Sequence, residues 1–326
     1  MTAQRIVSFL PSATEMACAL GLNERLVGIT HECDYPPEIQ GKPIVVRNAL
    51  PIERMNQREI DAAVAARLRE GLSLYAVDEQ LLRELAPDLI LTQDLCQVCA
   101  PSGNEVAQAL SLLTPKPQIL WMTPKTLAQI ADNMRQLGEA TGRSKQAKDL
   151  IKQGRARLAQ VEAATRAISR RPRVFCMEWL DPVYCGGHWL PEMVRIAGGV
   201  DELAHEAADS VRIDWNDVLQ WAPEVLILAP CGFNLEQTIA QAPALFDHPG
   251  WNELPAVRQG RVYAVDANAY FARPGPRVIE GTALLAHLIH PALFDCKGAQ
   301  NAFQRLEPLG IDCADNAVAR PHAPEV

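Results

Sequence analysis

Four side chains with nitrogen or sulfur donors in the first third of the sequence could bind a metal ion. Cys96 and Cys99 have the CxxC spacing, and His31 and Cys33 form an HxC pair in an earlier loop. If the fold brings the two loops together, they supply four ligands of the kind that zinc or iron accepts. The CxxC pair could instead be a redox-active dithiol. Cysteine is also a common small buried residue, so a purely structural role is the third alternative.

Aromatic and polar side chains are concentrated where the predicted strands end. Ligands of open α/β sheets bind beyond the carboxyl ends of the strands, so side chains at these positions are candidates for ligand contact. Aromatic rings beside a few polar groups suit a large, flat, partly apolar ligand. The candidates are Ser8, Tyr35, Gln93, Glu178, Trp179, Tyr184, His188, Trp189, Tyr270, Phe271 and Arg273.

Each class of candidate has a competing structural interpretation. His188, in the segment GGHWLPE, could be a ligand or proton donor, or a loop histidine bonded to the backbone. Glu178 could accept a hydrogen bond, bind a metal or be solvated, and the aromatic rings could stack on a macrocycle or fill the core. The sequence lacks the P-loop, the GxGxxG, HExxH and GxSxG motifs, which disfavours nucleotide-driven and serine-hydrolase chemistry. We therefore assign no catalytic residue and favour a binding protein over an enzyme.

The composition of the 326-residue chain excludes several classes of protein. Lys and Arg number 31 against 39 Asp and Glu, a net charge of -8, so no basic face for nucleic acid or anionic membrane is expected. Hydrophobic residues make up 48%, enough for a sizeable core, and no apolar run approaches the roughly 18 residues of a membrane span. The start of the chain lacks a secretory-signal pattern, and nine cysteines fit reduced thiols better than paired disulfides. We expect a soluble, cytoplasmic protein.

Strand-like and helix-like segments alternate in both halves of the chain, which predicts βαβ units with mostly parallel sheets. The segment LRELAPDLILTQDLC of the first half resembles VLQWAPEVLILAPCG of the second, which suggests two similar lobes. The segment between them is rich in helix formers, and a helix of about 25 residues from Ser144 would be long enough to cross a two-lobe molecule. We predict an N-terminal lobe (1–125), a connecting helix (126–170), a C-terminal lobe (171–296) and a polar, partly disordered tail (297–326).

Longer stretches of the sequence resemble a known family. RIVSFLPSATEMACALGLNERLVGITHECDYPP, LAPDLIL, DSVRIDWNDVLQWAPEVLILAP and YFARPGPRVIEGTALLAHLIHP are similar to the cobalamin-binding and ferric-siderophore-binding proteins of ABC importers. This resemblance implies an α/β fold of two Rossmann-like lobes with parallel sheets, joined by one long backbone helix, with the ligand in a cleft between the lobes. It places Tyr35, Gln93, Glu178, Tyr184 and Tyr270 where members of the family contact their ligand.

The sequence also departs from the family pattern. Members dock on a permease through one glutamate in each lobe, but Ala272 stands where the C-terminal lobe should carry its glutamate. Gln93 replaces a stacking tryptophan, and the segment from Asn48 to Leu81 is longer than usual and could cover or narrow the cleft.

Three functional hypotheses result from the residues and the resemblance. The first is a cytoplasmic protein that binds cobalamin, another corrinoid or a related metal chelate without docking on a permease. The second is a metal-dependent or thiol-redox enzyme that uses His31, Cys33, Cys96 and Cys99. The third is a periplasmic importer-binding protein for cobalamin, a ferric siderophore or haem.

Overall fold

A computed structural model of the protein describes residues 2–93, 113–295 and 301–306. The strands of the described residues form two sheets. Their bounds are β1 (Ile6–Ser8), β2 (Leu26–Thr30), β3 (Ile44–Asn48), β4 (Tyr75–Val77), β5 (Leu89–Thr92), β6 (Gln118–Trp121), β7 (Val174–Leu180), β8 (Val183–Cys185), β9 (Val225–Leu228), β10 (Val262–Val265) and β11 (Phe303–Arg305).

The helices alternate with these strands along the chain. Their bounds are α1 (Pro11–Ala19), α2 (Gln57–Arg69), α3 (Glu79–Leu85), α4 (Leu127–Thr141), α5 (Ser144–Arg166), α6 (Leu190–Ile196), α7 (Trp215–Trp221), α8 (Leu235–Gln241), α9 (Pro255–Arg258), α10 (Ala267–Tyr270) and α11 (Val278–Ile289). Short 3₁₀ turns lie at Asn23–Arg25, Pro37–Ile39, Ile52–Arg54, Ala242–Leu245 and Trp251–Glu253.

The sheet of the N-terminal lobe has the strand order β4-β3-β2-β1-β5-β6. All neighbours are parallel except β3 and β4, which are antiparallel at the edge. The central strands β1 and β5 are wholly buried, as expected for a parallel sheet with helices on both faces. The carboxyl ends of β1, β2 and β5 therefore lie at one edge of this sheet.

The sheet of the C-terminal lobe has the order β11-β10-β9-β7-β8. Strands β10, β9 and β7 are parallel, and β8 and β11 pair antiparallel at the two edges. The predicted α/β fold with parallel sheets is confirmed for the central strands of both lobes. The sequence pattern did not reveal the antiparallel edge strands, because each of β4, β8 and β11 has only three residues and, unlike β1, is only partly buried.

Two helices connect the sheets, and α5 is the longer. It has 23 residues and begins at Ser144, so it extends about 34 Å at 1.5 Å per residue. Gly142 separates α4 from α5 with a φ of 72°, a conformation that favours glycine. Helix α5 packs against α4 and α11, which ties the connection to both lobes.

One hydrophobic core continues from the N-terminal lobe through the connecting helices into the C-terminal lobe. It includes Leu10 of the first lobe, Leu137 of α4 and Leu285 of α11, all nearly inaccessible to solvent. A close backbone approach joins α10 to α11, because a Cβ at Gly281 would overlap the carbonyl group of Tyr270. The lobes are thus held by apolar packing on the side of the connecting helices.

Candidate ligand-binding cleft

The loops at the carboxyl ends of the two sheets meet across the lobe boundary. Ser8 ends β1 and is fully buried, and its hydroxyl donates to the carbonyl oxygen of Leu10 at 2.8 Å. Gln93 follows β5 and is also buried, with 4% of its surface exposed. Of these two candidates, Ser8 already has a partner in its own loop.

An ion-pair cluster links the lobes near α1. The Arg277 guanidinium donates to both carboxylate oxygens of Glu15, at 2.6 and 2.8 Å. Arg273 lies 3.7 Å from the same carboxylate and also binds the Asp34 carboxylate and the Glu32 carbonyl. Burial raises the pKa of Glu15, and the two guanidinium groups oppose this shift. Arg273, predicted as a ligand contact, therefore binds residues of the N-terminal lobe in this structure.

Tyr35 lies on the rim of a cavity beside this cluster. Its ring is below the Arg277 guanidinium, with 4.2 Å from the guanidinium carbon to the ring centroid, and 44% of the residue is exposed. The cavity has a volume of about 470 Å³ and is bounded by residues of both lobes, including Glu15, Cys18, Arg277 and Glu280. Tyr35 thus offers an aromatic surface that is open to solvent and supported by a cation.

Tyr270 ends α10 close to the same arginine. The ring is partly buried, and burial raises the pKa of its hydroxyl. Its ring centroid lies 6.4 Å from that of Phe271 in a tilted arrangement. Tyr270 therefore has a partly accessible ring, whereas Phe271 is only 3% exposed.

Helix α2 contacts two other predicted site residues of the C-terminal lobe, Trp179 and Tyr184. The Gln57 side-chain oxygen accepts hydrogen bonds from the backbone amides of Leu180, at 2.6 Å, and Asp181, at 3.2 Å. The Trp179 indole donates to the Gln57 carbonyl oxygen at 3.2 Å. The Tyr184 hydroxyl donates to the Asp61 carboxylate at 3.1 Å. Sequence reasoning identified the long segment but not Gln57 or Asp61, which carry no local signal of function.

Glu178 and His188 form part of a structured loop. The Glu178 carboxylate accepts from the Gly187 amide at 2.9 Å, and burial raises its pKa. His188 has a φ of 52°, and its Nε2 lies 3.3 Å from a carboxylate oxygen of Asp209. Burial lowers the pKa of this histidine, which favours the neutral ring. Glu178 thus holds the backbone in front of His188 in place.

Trp189 and Phe271 belong to the core of the C-terminal lobe. Trp189 is 6% exposed, and its indole donates to the Phe271 carbonyl oxygen at 2.8 Å. Both rings pack within the main hydrophobic cluster. Both rings therefore match the core alternative in this structure.

The predicted metal ligands are only partly within the described residues. Nδ1 of His31 lies 3.2 Å from both the Thr30 hydroxyl and the Val46 carbonyl oxygen. The Cys33 sulfur lies 3.1 Å from the Thr14 hydroxyl, and burial raises the pKa of this thiol to about 12.

Cys96 and Cys99 lie outside the described residues, so the four-ligand arrangement remains a prediction. Over residues 2–93, 113–295 and 301–306, no group of three or more His, Cys, Asp or Glu side chains could hold a metal ion. In the same part of the chain, no helix combines the length and apolarity needed to cross a bilayer.

Comparisons with known proteins agree with this architecture. A family described as "Periplasmic binding protein" matches residues 6–269. The vitamin B12-binding protein of Vibrio cholerae is 27% identical over 282 residues, which cover 85% of this chain and 86% of that protein.

Two solved structures have the same fold. The periplasmic vitamin B12 binding protein BtuF of Vibrio cholerae matches with a TM-score of 0.64 and 25% identity, over 89% of this chain and 98% of that one. The apo form of the periplasmic heme-binding protein RhuT from Roseiflexus sp. RS-1 matches with a TM-score of 0.66 and 21% identity, over 89% and 99%. With most of both lobes matched in sequence and in fold, the chain belongs to the periplasmic binding protein family.

Proposed function

We propose that this protein binds a corrinoid, or a related metal chelate such as haem or a ferric siderophore, between its two lobes. The observation that carries the proposal is the similarity to a vitamin B12-binding protein along both lobes. The chemistry of the cleft supports it, since aromatic rings and a few polar groups meet at the carboxyl ends of both sheets. Binding of this kind requires no covalent step.

Tyr35 and Tyr270 are the aromatic groups best placed for this role. Tyr35 is exposed and Tyr270 is partly exposed, so each can pack against a flat ring system. Glu178 contributes indirectly, because its carboxylate is already bound to the backbone of Gly187.

A visible-absorption titration tests the proposal. We expect cyanocobalamin or haemin to give a saturable spectral change with a micromolar or lower Kd, about -8 kcal/mol or better. The variant Tyr35→Ala should weaken binding, whereas Leu72→Ala, which removes another exposed apolar side chain outside the cavity, should not. The proposal would be refuted if neither compound gave a spectral change and neither bound more tightly than millimolar.

We further propose that the protein acts in the cytoplasm without docking on a permease. The basis is the sequence: Ala272 carries no charge for a permease arginine, and it packs against the core of its lobe. Fractionation of native cells tests the compartment. A pull-down with a cobalamin-type permease tests docking, and Ala272→Glu should strengthen that contact if the missing glutamate is the reason. Recovery of the native chain with the permease or in a periplasmic extract would instead support the importer role.

The zinc or iron hypothesis has a separate test. Elemental analysis of the purified protein should detect a stoichiometric metal that is lost on Cys96→Ser and Cys99→Ser if those thiols are ligands. If the purified protein contains no metal and still binds the chelate fully, the zinc or iron hypothesis is refuted and only the binding function is supported.

A further inference from the structure

Helix α2 is attached to the two lobes in different ways. Val64 and Leu68, one turn apart on the helix, pack against the core of the N-terminal lobe. Near its carboxyl end, Arg67 donates to the Ser73 carbonyl oxygen at 2.9 Å. The apolar packing therefore makes α2 part of the N-terminal lobe.

The first two turns of α2 reach the C-terminal lobe through polar contacts. Gln57 binds two backbone amides, Arg58 forms a two-pronged contact with the Asp181 carboxylate, and Asp61 binds Tyr184. Gln57 is only 1% exposed, whereas the Arg58 side chain is 76% exposed. Gln57 therefore dominates this contact, because an exposed ion pair contributes little to stability.

The start of the helix is held firmly for this role. The Asn56 side chain accepts from the Glu59 amide at 3.0 Å, and the Glu59 carboxylate accepts from the Asn56 amide at 2.8 Å. This capping box fixes the first turn and so positions Gln57. The first two turns can then move as one unit with respect to the C-terminal lobe.

We propose that the amino-terminal half of α2 is a latch that closes the cleft over Trp179 and Tyr184 and must release before a ligand reaches them. The groups that α2 contacts are the Tyr184 hydroxyl, the amide of Leu180 and the Trp179 indole, all near the turn between β7 and β8. The indole also donates to the Asp181 carbonyl oxygen of its own lobe at 3.1 Å. Helix α2 is held to the N-terminal lobe by apolar packing and to the C-terminal lobe by hydrogen bonds. Such hydrogen bonds can be exchanged for bonds to water at a small net free-energy cost, so the contact with the C-terminal lobe can open reversibly. The effect of the latch on ligand binding rests on the proposed function, whereas the opening and closing of α2 itself does not.

Hydrogen exchange tests whether the contacts open together. The variant Tyr184→Phe removes the bond to Asp61 but leaves the acceptor of the Leu180 and Asp181 amides unchanged. If the first two turns of α2 release as a unit, these two amides should exchange about fivefold faster, as expected for one net hydrogen bond. The control Arg69→Ala lies at the other end of the same helix and should leave the exchange unchanged. Unchanged exchange of both amides in Tyr184→Phe would overturn the latch.

Stopped-flow binding of cyanocobalamin tests the functional consequence. The variant Gln57→Ala/Arg58→Ala removes the side-chain contacts of Gln57 and Arg58 with the C-terminal lobe but keeps the bond between Asp61 and Tyr184. It does not alter the predicted ligand contacts, and we expect about tenfold faster association. A circular-dichroism spectrum and melting curve matching those of the wild type establish that the variant is folded.

The hydrogen-exchange and stopped-flow experiments together distinguish a failure of the latch proposal from a failure of the proposed function. Faster exchange with no chelate binding by any variant would support the latch and refute the proposed function. Binding at the same rate in the wild type and the Gln57→Ala/Arg58→Ala variant would refute the latch as a barrier while supporting the function.

Discussion

The buried ion pair between Glu15 and Arg277 leads to a quantitative prediction for the variant Arg277→Met. The two groups come from different lobes, and their side chains are 2% and 20% exposed. Methionine keeps part of the volume of arginine but removes the charge and both donors. Glu15 then loses the partner that binds both of its carboxylate oxygens.

The expected destabilisation follows from the burial of the carboxylate. Removal of one partner from a buried pair costs about 3 kcal/mol or more, because an uncompensated charge stays behind. For a chain of 326 residues, that corresponds to a decrease of roughly 4–5 °C in Tm. Arg273 is 3.7 Å from the Glu15 carboxylate and compensates only in part.

Urea unfolding followed by tryptophan fluorescence measures the free-energy change. The matched control is Arg135→Met, since Arg135 forms ion pairs with Asp132 and Glu139 in exposed positions. We expect the control to change the free energy of unfolding much less, because exposed ion pairs contribute little to stability. The difference between the two variants isolates the effect of burial.

The pH dependence distinguishes this explanation from a simple packing defect. Burial raises the pKa of Glu15, and in Arg277→Met one of the opposing charges is gone. A carboxyl group whose folded pKa is raised destabilises the fold as pH rises, so the defect should be larger at pH 8 than at pH 5. The double variant Glu15→Gln/Arg277→Met should regain much of the loss. A defect of the same size at both pH values, with no recovery in the double variant, would refute the reasoning.

Two further predictions concern other buried groups. Burial raises the pKa of Asp201 to about 7, so its contribution to stability should fall as pH rises from about 4 through 7, and Asp201→Asn should lose this part of the pH dependence in urea unfolding at pH 5 and 8. A pH profile shared by the wild type and Asp201→Asn would contradict this. The Cys33 thiol has a pKa raised to about 12, so iodoacetamide at pH 8 should label exposed Cys231 much faster than Cys33, as measured by peptide mass spectrometry. Equal labelling rates would show that Cys33 is accessible and ionised.

The lobes and their order could be predicted from the sequence because local patterns encode them. Buried strands such as Leu89–Thr92 are continuous apolar runs, and the helix from Ser144 ends a long segment without proline. The Ala-Pro-acid turns before β5 and β9 mark equivalent positions in the two halves. Periodicity and turn residues act over a few neighbours, so they can be read without knowledge of the fold.

The partners of the candidate site residues could not be predicted in the same way. Arg273 and Trp179 have the chemistry of ligand contacts, yet the structure joins Arg273 to Asp34 and Trp179 to Gln57. Trp189 also follows a predicted strand, but its ring lies in the core. These outcomes depend on contacts between residues 82 or more positions apart, for which no local pattern exists.

The sequence by itself determined two α/β lobes, their connecting helix and the pool of polar and aromatic side chains at the strand ends. Only the tertiary structure decided which of those side chains remain available. Contacts with α2, the ion pairs around Glu15, bonds to the backbone and packing in the core occupy most of the others. Tyr35 is exposed and Tyr270 partly exposed, while Trp179, Tyr184 and Arg273 are bound across the lobe boundary. The physical reason is that burial and hydrogen bonding are set by distances in space, whereas the sequence specifies only neighbours along the chain.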